Sequence, residues 1–144
     1  MRSLRETVDA LIAYLQSIGL TAYDTQVPNA PRYPYALIES RSTARRDRVA
    51  LGGAQSWSGR VIVTSAGLTA GAVRAVASRV HDALRDWRPG VLDGHQIGRV
   101  THDAGVGLPV SADTTHGIAP VYFAVDHYVL HATPSKRNGE TDGP

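Results

Sequence analysis

The stretch VYFAVDHYVLHA, from Val121 to Ala132, decides the fold. Val, Tyr and Phe crowd it, the residue types that suit a pleated and half-buried surface. Side chains alternate between the faces of a strand, so the stretch divides into two sets. One face carries Val121, Phe123, Val125, His127, Val129 and His131; the other carries Tyr122, Ala124, Asp126, Tyr128, Leu130 and Ala132. Neither is the polar face of an ordinary surface strand. The chain's own helices can cover one face, and a second copy of the protein is the expected cover for the other.

Upstream, Ala104 to Pro120 is rich in Gly, Ser, Thr and Asp and reads as a loop. Leu92 to Asp103 holds an expected strand around Gln96 to His102, with both faces mixed. Val73, Val76, Ala77, Val80, Leu84 and Trp87 recur at helical spacing, which predicts a helix starting near Thr69 and stopped by Pro89-Gly90. Trp57 to Thr64 reads as a strand with Trp57, Val61 and Val63 on one face and Ser58, Arg60, Ile62 and Thr64 on the other. Its hairpin partner is Tyr35 to Ser40. Between them RSTARRDRVALGGAQS, Arg41 to Ser56, sets four Arg against one Asp with no steady period. It predicts a long basic arm at the tip of a β-hairpin.

Pro28, Pro31 and Pro34 exclude a helix or central strand before Tyr35 and stiffen a loop. Leu20 to Asp24 is a short extended piece. Ser3 and Glu6 have the spacing of a capping box, followed by Leu4, Val8, Leu11, Ile12, Leu15 and Ile18 on one helical stripe and a stop at Gly19. Burying that stripe contributes on the order of 10 kcal/mol before chain entropy is set against it. At the other end PSKRNGETDGP, Pro134 to Pro144, has no apolar anchor and reads as a disordered tail. The expected fold is a single α/β domain of the α+β kind over residues 1–133. It has a mainly antiparallel sheet of four to five strands, two helices packed on one face, and the long hairpin arm.

A chain of 144 residues suits one compact domain that needs no staples. It has no Cys, which removes disulfides, thiolate catalysis and the usual zinc-finger ligand sets. Glu6, Asp9 and Gln16 interrupt the N-terminal helix, so it reads as neither a signal peptide nor a membrane span. The 15 basic residues against 13 acidic ones leave a charge of only +2, and Lys136 is the single Lys. That balance does not call for nucleic acid.

No pattern points to an active site. His127 and His131 share a face but stand roughly 13 Å apart along an extended strand, too far to share an ion. His95 and His102-Asp103 have no ligand spacing to recommend them. There is no Gly-x-Ser-x-Gly elbow. Gly52-Gly53 and Gly105-Val106-Gly107 lack the following helix a phosphate cradle uses. Glu39 and Asp126 form an imaginable acid–base pair, but a cross-strand salt bridge of Arg60 with Asp126 is the plainer reading. The basic arm reads as a solvated tip, a protein-docking arm, or a nucleic-acid contact. The last is disfavoured because no aromatic is interleaved to stack bases.

Several segments together resemble the tail terminator (tail completion) proteins of long-tailed phages. They are Tyr23-Asp24-Thr25-Gln26-Val27-Pro28, then Pro34-Tyr35-Ala36-Leu37-Ile38, the Arg/Gly arm before Trp57, Val63 to Ser65, the helix ending in Leu84 and Trp87, and Asp126-His127-Tyr128. The resemblance spans about residues 4 to 132 and rests on order and spacing, not on a catalytic signature. It implies a non-enzymatic α/β virion protein without cofactor or metal, acting at the tail–neck junction after assembly in the host cytoplasm. Six copies would form a ring on the major tail tube protein, stop its polymerisation and meet the head–tail connector or neck protein. Genome DNA would pass through the lumen unread, and no membrane is involved. The residues assigned to a subunit or tube interface are Arg41, Arg45, Arg46, Arg48, Trp57, Arg60, Tyr122, Asp126 and Tyr128. A head–tail connector or stopper ring is the alternative in the same class. A small nucleic-acid-binding domain using the Arg arm is the alternative from another.

Overall fold

The computed structural model describes residues 2–42, 56–115 and 119–135. Helix α1 (Arg2–Ser17) turns Leu4, Val8, Leu11, Ile12 and Leu15 into the core. The expected capping box does not form. Ser3 already lies inside the helix with its side chain buried, and its carbonyl accepts the Thr7 hydroxyl at 2.6 Å. The helix ends as the sequence predicts. Gly19 takes a left-handed φ of 94°, its N–H donates to the Gln16 carbonyl, and Leu20 N–H donates to the Leu15 carbonyl. This pair of bonds closes the last turn in a Schellman motif.

Strands β1 (Ala22–Asp24), β2 (Tyr35–Ser42) and β3 (Trp57–Gly67) come next. Helix α2 (Ala70–Asp86) follows, capped by the Thr69 hydroxyl, which accepts from Ala72 N–H at 3.0 Å. It buries Val73, Val76, Val80, Ala83 and Leu84; of the stripe read from sequence, Ala77 is only half-buried and Trp87 is buried at the C-cap, while Ala83 is added. The chain closes with β4 (Val91–Leu92), β5 (His95–Ile97), β6 (Thr101–Asp113) and β7 (Val121–Pro134).

Among the described residues these strands form one seven-stranded sheet, larger than the four to five strands expected. Its order is β1-β2-β3-β7, with β5 and β6 on successive parts of the far edge of β7 and β4 outside β5. The β1–β2 pair is parallel; every other pair is antiparallel. Both helices contribute to one core cluster with Ile38, Trp57, Val61, Val63, Tyr128, Leu130 and Ala132, so they share one face of the sheet.

Two expectations fail between β5 and β7. The single strand around Gln96 to His102 is interrupted: β5 ends at Ile97, Gly98 N–H donates to the His131 carbonyl, and β6 begins at Thr101. The predicted loop from Ala104 is mostly strand, since β6 pairs with β7 as far as Asp113–Val121. Its alternation is hidden by register shifts between Asp103 and Gly107 and between Leu108 and Ser111. Gly105, Gly107 and Pro109 lower strand propensity, yet the long partner β7 supplies the ladder that propensity does not. At the end, β7 runs to Pro134, and Ser135 N–H donates to the Gly94 carbonyl. The rest of the proposed tail and the body of the Arg arm lie outside the described residues.

Candidate interface on the uncovered sheet face

The hairpin registers divide the central strands by parity. Trp57, Val61 and Val63 of β3 and Tyr128, Leu130 and Ala132 of β7 point under the helices and are buried. The other parity faces away from both helices, and β2, β3, β7 and β6 align there in rows. The first row is Tyr35, Ala66, Phe123 and Ser111; the second is Leu37, Thr64, Val125 and Leu108. The third is Glu39, Ile62, His127 and Asp103; the fourth is Arg41, Arg60, Val129 and Thr101.

The first two rows are mostly apolar. Leu37, Phe123 and Val125 are half-buried, and Leu108 is 52% exposed. Tyr35 packs against Tyr23 and Tyr33 at ring-centroid separations of 5.4 and 5.5 Å. Burial, together with the neighbouring Tyr33 and Tyr23, raises the Tyr35 hydroxyl above its ordinary pKa.

The last two rows carry the charge, and the charges offset one another. Arg60 Nη1 donates to Asp103 Oδ2 at 2.9 Å and lies 3.3 Å from His127 Nδ1. The Arg60 hydrogen bond, helped by Gly105 N–H, holds the Asp103 carboxyl below its ordinary range. Counting Glu39 and Asp103 against Arg41 and Arg60, the four rows have no net formal charge with His127 neutral.

The interface residues assigned from sequence are split by this geometry. Arg41 and Arg60 sit side by side in the fourth row, with Arg41 exposed. Trp57 and Tyr128 must be removed from any surface role: they are 3% and 2% exposed and belong to the core. Tyr122 and Asp126 have the helix-side parity. Asp126 therefore does not meet Arg60. It accepts from or pairs with His102 Nε2 at 3.2 Å, while Arg60 finds Asp103 across the opposite face. Glu39 and Asp126, imagined together as acid and base, are separated by the sheet for the same reason. Arg45, Arg46 and Arg48 lie outside the described residues.

Sequence reading placed His127 on the same strand face as Val125 but missed Asp103, Leu37 and Leu108 as members of that surface. Parity along β7 identified its Phe123, Val125 and Val129 as one of two possible bare faces, and the helices select it. No sequence signal places Leu108 opposite Val125, because two register shifts intervene. On the helix side, His81, His102 and Tyr128 form an aromatic cluster with centroid separations of 5.1 to 6.3 Å. Burial, and then the Asp126 charge, push the Tyr128 hydroxyl far up. Among the described residues no group of three or more His, Asp or Glu is placed to hold a metal ion.

No family model matches the chain, and no curated protein matches it. Among solved structures the chain is similar to a chain of the "Virion of native gene transfer agent (GTA) particle". The identity is 16% and the TM-score 0.47, covering 92% of this chain and 93% of that one.

Proposed function

We propose that the protein is a non-enzymatic structural component of a phage virion that works as a homo-oligomeric ring, with the tail terminator role as the specific assignment. One observation carries the reading. The sheet has a helix-covered face and a second, half-apolar face on which Leu37, Ile62, Phe123, Val125, Val129 and Leu108 have no cover from the subunit's own helices. A contiguous apolar surface of this kind marks an interface. A ring needs a head-to-tail contact that closes on itself. In the proposed assembly a neighbouring copy covers this face, and six copies cap the tube and meet the neck. The arm from Arg41 to Ser56 reaches the neighbour or the tube, and DNA passes through without being read.

Light scattering of the purified protein, alone and with tail-tube protein, tests the proposal. A discrete oligomer, formed alone or on tubes whose growth it stops, is the expected result. A strict monomer that leaves tube growth unaffected excludes it. Deleting Arg45 to Gly53 without loss of ring formation or tube docking removes the arm from the proposal. The nucleic-acid alternative requires a salt-dependent shift of bare duplex. It fits the balanced charge of this face less well than a protein partner does.

A further inference from the structure

We propose that Arg60, Asp103 and His127 form a proton-sensitive lock in the middle of the uncovered face, such that a second copy of the chain seats there only while His127 is neutral. The inference rests on the oligomer reading above and names a control over that same surface.

The geometry assigns the proton on His127. A guanidinium has donors and no acceptor. The Arg60 Nη1–H that faces His127 Nδ1 at 3.3 Å therefore requires that nitrogen to accept. In a neutral ring the proton then sits on Nε2. The same Nη1 donates to Asp103 at 2.9 Å, so one cation, one anion and one neutral ring make a set with no net charge. Such a set can be covered at modest cost, because each charge already has its partner.

Protonating His127 changes both features. Nδ1 becomes a donor aimed at another donor, and two cations face the single Asp103. Covering the face would then bury an uncompensated charge, which is expensive. Among the described residues, the other charged or titratable groups on this face do not offset it. Glu39 stands beyond Ile62 on β2, Arg41 lies beside Arg60, and His131 is four residues along β7 from His127, against Ser58 at 2.8 Å. Both helices pack on the opposite face. A second copy is the occupant because the charges of these rows balance within the face. A face that is neutral overall and carries both signs is matched by another mixed-charge patch of a neighbouring subunit, as the head-to-tail contact proposed above supplies, and not by a polyanion.

The test is sedimentation of the full chain at constant ionic strength, near pH 7.5 and near pH 5.5, across the range where a free imidazole takes up its proton. The dissociation constant is expected to rise at the lower pH, the direction for an imidazole that must lose its proton before the face is covered. In His127→Gln the amide oxygen can accept from Arg60 but cannot titrate, so the ratio between the two pH values should fall to about one. His131→Gln should keep the wild-type ratio. A wild-type ratio near one, or a His127→Gln ratio equal to wild type, overturns the lock. Val125→Glu and Leu108→Asp, checked for folding by circular dichroism, test the surface itself. If both associate as wild type does, or if wild type stays monomeric at every concentration, the oligomer reading falls and the lock with it. If they abolish association while the wild-type ratio is near one, only the lock falls.

Discussion

Gly107 is the residue at which a single atom matters most. Its φ is 117°, where L side chains are strained, and an added Cβ would collide with the Val125 carbonyl oxygen on the partner strand. Gly107→Ala should cost about 2 kcal/mol or more, with the loss read as a lower midpoint in urea. Leu15 is the opposite kind of site, fully buried in the core. Leu15→Ala leaves a cavity, and a loss of about 2–5 kcal/mol is expected in the same measurement. Asp103 has a pH signature. Its folded pKa is depressed, so its contribution is complete above the ordinary carboxylate pKa and is lost as pH falls through the lower folded value. Asp103→Asn should flatten that part of the acid limb of stability against pH, and unchanged acid curves would count against the Arg60 contact.

At the scale of elements, the helices were legible and the β6 hairpin was not. Helix α2 announces itself by a period of apolar residues between Thr69 and Pro89, local signals that survive any tertiary context. Its Thr69 cap predicts its own test. Thr69→Ala should destabilise by about 1 kcal/mol, with Thr69→Ser restoring most of it. Helix α1 shows the limit of such signals, since Ser3 and Glu6 had capping spacing but the helix begins before them. Strand β6 shows the converse. Gly105, Gly107 and Pro109 argue against a strand, and only its pairing with β7 makes one. A strand held by its neighbour and not by its composition should exchange its amides sooner than β3 does. Hydrogen exchange, with the β6 amides less protected than those of Val61 and Val63, is the check.

For the whole molecule the decisive feature is that both helices lie on one side of a single sheet. That arrangement makes Trp57 and Tyr128 core residues and leaves Phe123, Val125 and Val129 as surface. It also explains why Arg60 and Asp126 never meet, since they project to opposite sides. Val125→Glu is accordingly expected to leave the unfolding midpoint within about 1 kcal/mol of wild type while changing the oligomeric state. A large loss of stability instead would mean that the subunit itself depends on this face.

The sequence by itself determined the two helices, the strands at Tyr35, Trp57 and Val121, and the division of β7 into two apolar faces. Each of these follows from a local period, 3.6 or 2, that the chain carries wherever it is placed. Tertiary structure decided which face of β7 the helices took, how Asp103 came beside Arg60, and that Ala104 to Asp113 would be a strand. Those depend on register between distant segments. Shifting a strand by one residue exchanges its faces, and a bulge makes that shift without leaving a mark in the local pattern.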